Sequence, residues 1–145
     1  MLLPDAKKMV IDWLLADSSL RSYVSTRVYS RIPALKKGAA ENRFPLVRVV
    51  RIPSPPAFSR PLYVDRPHLQ VDVFGGSEAT TWDIAAEVAE RLEAMPGNHH
   101  SVEGVVTDVK FLNIGDQPDE EFNPAKPRVR MDVRLTTHPP QLLPT

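Results

Sequence analysis

Three groups of side chains in this 145-residue sequence are of types that do chemistry. His99 and His100 adjoin, with Glu103 close by and Asp108 further on, which are the residue types of a metal or acid–base site. Neighbours in a turn or extended segment point in different directions, and a metal would need ligands that this spacing does not supply, so the pair is expected in a solvated turn. His68, Gln70 and Asp72 share one side of an alternating stretch. They form either a small polar site or simply the solvent or interface side of a strand. Arg128, Arg130 and Arg134 alternate with Val129, Met131, Val133 and Leu135. Three guanidinium groups on one strand face suit the phosphates of a nucleic acid, or the acids of a neighbouring chain. They also suit weak exposed ion pairs within the chain. No serine occupies a strand-to-helix nucleophile elbow, and the sequence contains neither a phosphate-cradling glycine loop nor a cysteine. The residues therefore give no catalytic, cofactor or metal assignment, and the expectation is a structural or binding protein, not an enzyme.

The elements that carry these groups can be read from periodicity. The most regular unit runs from His68 to Gly97. Leu69, Val71 and Val73 fall on one face of a half-buried strand, Gly75-Gly76 turns the chain, and Ala85, Val88, Ala89 and Leu92 recur at helical spacing over 78–95. Trp82, near the start of that helix, is expected in the core. An earlier helix starts at Pro4-Asp5 and runs to about Ala16, with Val10, Ile11, Leu14 and Leu15 as its apolar stripe and Trp13 broadening it. Asp17-Ser18-Ser19 caps a second short helix through Leu20 and Tyr23. Strands are predicted at Arg27–Ile32, at Leu46–Ile52, within Val102–Ile114, and at Arg128–Thr137. In the Val102–Ile114 strand, Val105, Thr107, Val109 and Phe111 are expected on one face, with Val106, Leu112 and Ile114 on the other. The order predicts an α+β domain spanning residues 1–145: a mostly antiparallel sheet of about four to five strands with two main helices packed on one face.

Proline is the compositional outlier, at 15 of 145 residues, about twice the usual share. Prolines cluster at 53–67, at 118–127 and in the extended tail 138–145, so stiff loops separate the regular elements. The 53–67 loop carries Phe58, Arg60, Leu62 and Tyr63, and the 115–127 loop carries Asp119, Glu120 and Glu121. These residues are candidates for a subunit or partner contact. The alternative is that Phe58, Leu62 and Tyr63 fold back on their own domain. Basic and acidic residues balance at 18 each, which argues against a nonspecific DNA binder held by bulk charge while leaving a local basic face open. No stretch approaches the roughly 20 apolar residues that span a bilayer. The chain reads as soluble, without membrane partner or export segment.

The succession of features resembles the tail terminator, or tail completion, proteins of long-tailed bacteriophages. The resemblance is carried by Ile11-Asp12-Trp13-Leu14-Leu15-Ala16-Asp17-Ser18-Ser19-Leu20, then Arg27-Val28-Tyr29-Ser30-Arg31-Ile32-Pro33, then Pro45-Leu46-Val47-Arg48-Val49. It continues through Leu69-Gln70-Val71-Asp72-Val73-Phe74-Gly75, the alanine-rich helix from Ala85 to Leu92, and the closing strand from Val129 to Leu135. It implies an α+β subunit made in the host cytoplasm and built into the virion as a homo-hexameric ring at the head-proximal end of the tail tube. Such a ring ends tube polymerisation, touches the tail tube protein and the head-tail connector, and lets DNA pass through its lumen. Arg128, Arg130 and Arg134 would then be lumen or interface charges. The alternatives are another neck or minor tail protein, or a small ligand-binding or regulatory α+β oligomer.

Overall fold

The computed structural model describes residues 5–31, 44–53, 64–101, 104–118 and 126–139. Helix α1 (Ala6–Leu15) starts where Asp5 accepts the Lys8 N–H at 3.1 Å, and α2 (Ser18–Val24) starts where Asp17 accepts the Leu20 N–H at 3.3 Å. Each carboxylate satisfies a first-turn N–H that has no partner within its helix. Strands β1 (Val28–Tyr29), β2 (Leu46–Ile52) and β3 (His68–Phe74) follow, then α3 (Glu78–Glu93), β4 (His100–Ser101), β5 (Gly104–Asp116) and β6 (Val129–His138). Among the described residues no helix is long and apolar enough to cross a membrane.

The strands form one sheet in the order β1-β2-β3-β6-β5-β4. The predicted α+β architecture holds, with six strands among the described residues where about four to five were expected. The unpredicted strand is β4, two residues long. β1 runs parallel to β2, and the other pairs among the described strands are antiparallel. It is also shorter than the Arg27–Ile32 run that β-propensity suggested.

Register decides which residues meet. Val47, Val71 and Met131, and Leu69 with Val133, face one side, where α1, α2 and α3 contribute Met9, Val10, Leu14, Leu20, Val24, Ile84, Val88 and Leu92 to one core. Facing residues in an antiparallel pair share a face, so the partners of β6 fix the orientation of β5. Val106, Val109, Phe111, Ile114 and Asp116 lie opposite Thr137, Leu135, Val133, Met131 and Val129. Register shifts between Val106 and Asp108 and between Phe111 and Asn113 reset the alternation twice. The predicted grouping of Val105 with Val109, and of Val106 with Leu112, is corrected accordingly. Beyond Val105, the outer edge of β5 has no strand partner among the described residues.

Two tertiary devices fix the helices, one to this sheet and one to each other. At the β3–α3 turn, the Gly75 N–H donates to Thr81 Oγ1 at 3.0 Å, and a Cβ on Gly75 would lie 2.6 Å from Thr81 Cα. Gly75→Ala is therefore expected to lower stability by about 2 kcal/mol, the order seen for overpacked sites, read as a lower urea midpoint at unchanged slope. Between α1 and α3, Trp13 Nε1–H donates to the Arg91 carbonyl at 2.6 Å, and Arg91 Nε–H donates back to the Trp13 carbonyl at 3.1 Å. The Arg91 guanidinium stacks 3.5 Å from the Trp13 ring centre, and His99 meets the same indole edge-on at 5.6 Å. His99 is thus buried against Trp13, not in a solvated turn; the Met95–Asn98 turn folds it back under α1.

Candidate assembly interface

The face of the sheet opposite the helices is polar and charged. Arg48, Asp72 and Arg130 stand side by side across β2, β3 and β6, because Arg48 pairs with Asp72 and Asp72 with Arg130 in the register. Asp72 is fully buried under its partners. It accepts two hydrogen bonds from Arg48, at 2.7 and 3.0 Å, and both its oxygens lie 2.9 Å from Gln70 Nε2, while Arg128 approaches to 3.9 Å. A second aspartate, Asp132, takes Arg130 at 3.2 Å and His68 Nε2 at 3.1 Å. Phe74, also fully buried, sits at one end of this network with the guanidinium groups of Arg48 and Arg128 at 5.6 and 5.9 Å from its ring centre and Phe44 beside it. Cations stacked over an aromatic face are attracted by its quadrupole while their charge is shared with Asp72.

The predicted row of arginines is therefore divided. Arg128 precedes β6 and closes the β5–β6 connection: its Nε–H donates to the Gln117 carbonyl at 2.8 Å, and the Gln117 N–H donates to the Arg128 carbonyl at 2.8 Å. Arg130 is committed to Asp132. Arg134 is exposed, makes no ion pair with another described residue, and faces Lys110 across β5 and His68 across β3. The two acids are neutralised inside the network, and the cationic surplus collects at Arg134 and Lys110.

His68, Gln70 and Asp72 do share a face, as predicted, and they belong to this network. Asp108 is exposed, and among the described residues no group of three or more His, Cys, Asp or Glu is placed to hold a metal ion. Phe58, Arg60, Leu62, Tyr63, Asp119, Glu120 and Glu121 lie outside the described residues, as does Glu103. Sequence reasoning missed Arg48, whose place beside Asp72 depends on the register of two strands. It also placed Trp82 in the core, whereas the indole is 38% exposed and its Nε1–H donates to Asp116 at 2.7 Å. Its helical position alone gave no sign of that partner, which arrives from β5.

No protein-family model and no curated protein matches the chain. Among solved structures, a chain of the structure titled "Virion of native gene transfer agent (GTA) particle" superposes with a TM-score of 0.67 and 19% identity, over 92% of this chain and 94% of that one. The two chains share a fold. The likeness covers nearly the full length of both, so the complete arrangement of helices and sheet is common to them, not one βα unit.

Proposed function

We propose that this chain is a structural subunit of a phage-like virion, and within it a ring that caps the head-proximal end of the tail tube. The observation that carries the reading is the whole-length likeness to a chain of a gene transfer agent virion. The resemblance of its helices and central strands to tail terminators gives that role its finer form. In a hexameric ring the face bearing Arg48, Arg130 and Arg134 is the polar surface turned to the lumen or to the next subunit. With both aspartates already neutralised, Arg134 and Lys110 give passing DNA a shallow attraction, screened by salt and too sparse for tight binding. The ring stops growth of the tail tube and offers its other end to the head-tail connector.

The test is polymerisation of purified tail-tube subunits from the same genome with and without this protein, with lengths measured by electron microscopy. Tubes shortened in proportion to added protein, each bearing a ring at one end, are the expected result. Tubes of unchanged length, with no density at either end, would overturn it.

A further inference from the structure

A cleft of about 260 Å³ opens between the start of α3 and the base of the β5–β6 hairpin, lined by Glu78, Asp116, Pro118, Pro127 and Arg128. Trp82 stands one helical turn beyond Glu78 on the same side of α3, held by its bond to Asp116. Ile114, 44% exposed, lies two residues before Asp116 on the same strand face. An exposed indole, two proline rings and two carboxylates, with the Arg128 guanidinium already donating to the Gln117 carbonyl and 3.9 Å from Asp72, together form a surface of known chemical preference. Proline-rich segments in the polyproline II conformation dock on aromatic ridges, and a basic residue beside the prolines pairs with nearby acids.

This chain carries such a segment. Residues 53–63 read Pro-Ser-Pro-Pro-Ala-Phe-Ser-Arg-Pro-Leu-Tyr, with Arg60 as their one charge. We propose that residues 54–63 of a second copy dock in this cleft, with Arg60 against Glu78 and Asp116 and the prolines and Phe58 against Trp82 and Ile114.

Topology makes the contact intermolecular. The segment leaves β2 after Ile52 and returns at Asp65, which is pinned to Thr137 by two backbone hydrogen bonds of 3.0 and 2.8 Å and to Arg51 at 3.0 Å. Thr137 and Asp65 lie at the end of β6 remote from Val129, the partner of Asp116. The run from Val129 to Thr137 is about 26 Å long, and two strand spacings of about 4.8 Å separate β3 from β5, so Asp116 is about 28 Å from Asp65. Ile52 pairs with His68 at that same end, and even fully extended the backbone carries Pro56 only about 14 Å from Ile52 and Pro61 only about 14 Å from Asp65. A chain therefore cannot lay its own proline run into its own cleft. A contact that joins one end of a subunit to the opposite end of the next is heterologous, the kind that closes rings.

The contact rests on the reading of the chain as a self-assembling subunit, and its test is independent of tubes. A labelled synthetic peptide of residues 52–64 is titrated into the full-length protein, held below the concentration at which it self-associates, and followed by fluorescence anisotropy. Saturable binding is expected, weakened about tenfold or more both by Trp82→Ala in the protein and by Arg60→Glu in the peptide. The peptide change leaves the protein untouched, so misfolding of the Trp82 variant cannot mimic the result. Absence of saturable binding, or binding unmoved by both changes, would overturn the proposal. Loss of tube capping with peptide binding intact would instead count against the tail reading alone.

Discussion

An Asp72→Ala variant unfolds with about 3 kcal/mol less free energy than the parent chain, the order expected when one partner of a buried charge pair is removed. The loss is large because Asp72 is fully buried and accepts from Arg48 and Gln70 while Arg128 closes in at 3.9 Å. Removing the carboxylate leaves two guanidinium groups side by side over Phe74 with the acid between them gone. Asp72→Asn costs less, because an amide oxygen still accepts from Arg48, while the charge and one of the two oxygens facing Gln70 are lost. The decisive measurement is a double-mutant cycle with Arg48→Met by urea denaturation. The double variant is expected to lose less than the sum of the two single losses, by about 1 kcal/mol or more, as for residues in one network. Additive losses would mean that the pair contributes nothing beyond its separate packing.

The second large effect is expected at Trp13. Trp13→Ala removes the indole that stacks on Arg91, meets His99, and donates to the Arg91 carbonyl. Truncation of a packed tryptophan costs about 3 kcal/mol or more, and here it also unties α1 from α3. Trp13→Phe keeps an aromatic face for Arg91 and loses only the N–H donor, so its cost should stay near 1 kcal/mol. Thermal unfolding of the three proteins checks the order. Equal losses for Ala and Phe would show that the hydrogen bond, and not the stacked ring, holds the helices together.

Much of this architecture was legible from local chemistry. Asp5 and Asp17 marked the starts of α1 and α2 because a short carboxylate is the side chain that satisfies a helix's first N–H groups. β3 and β6 were legible because each buries one face, so every second residue is apolar. What escaped depended on neighbours far away in the chain. The bulges of β5 arise from its fit to β6, and no residue type at Thr107 or Leu112 announces them. The parallel pairing of β1 with β2 is a long-range register that no local pattern in Arg27–Ile32 announces. His99 was placed in solvent because a histidine pair beside glycine and asparagine reads as a turn, whereas the partner that buries it is Trp13. Of the candidate interface, the sequence showed the arginine alternation of β6 but not that Arg128 and Arg130 are already engaged. The cationic surplus therefore falls on Arg134 and Lys110, one residue predicted and one not.

The two bulges of β5 also bear on how its open edge meets other chains. A long, flat strand at the rim of a sheet is a template on which a stranger's backbone can add, the first step towards fibres. In β5 the register shifts near Thr107 and Leu112 interrupt any straight run of N–H and C=O groups, and the opposite charges of Asp108 and Lys110 stand between them. The rim is thus poorly matched to an uninvited strand, and edge-to-edge addition along β5 is disfavoured.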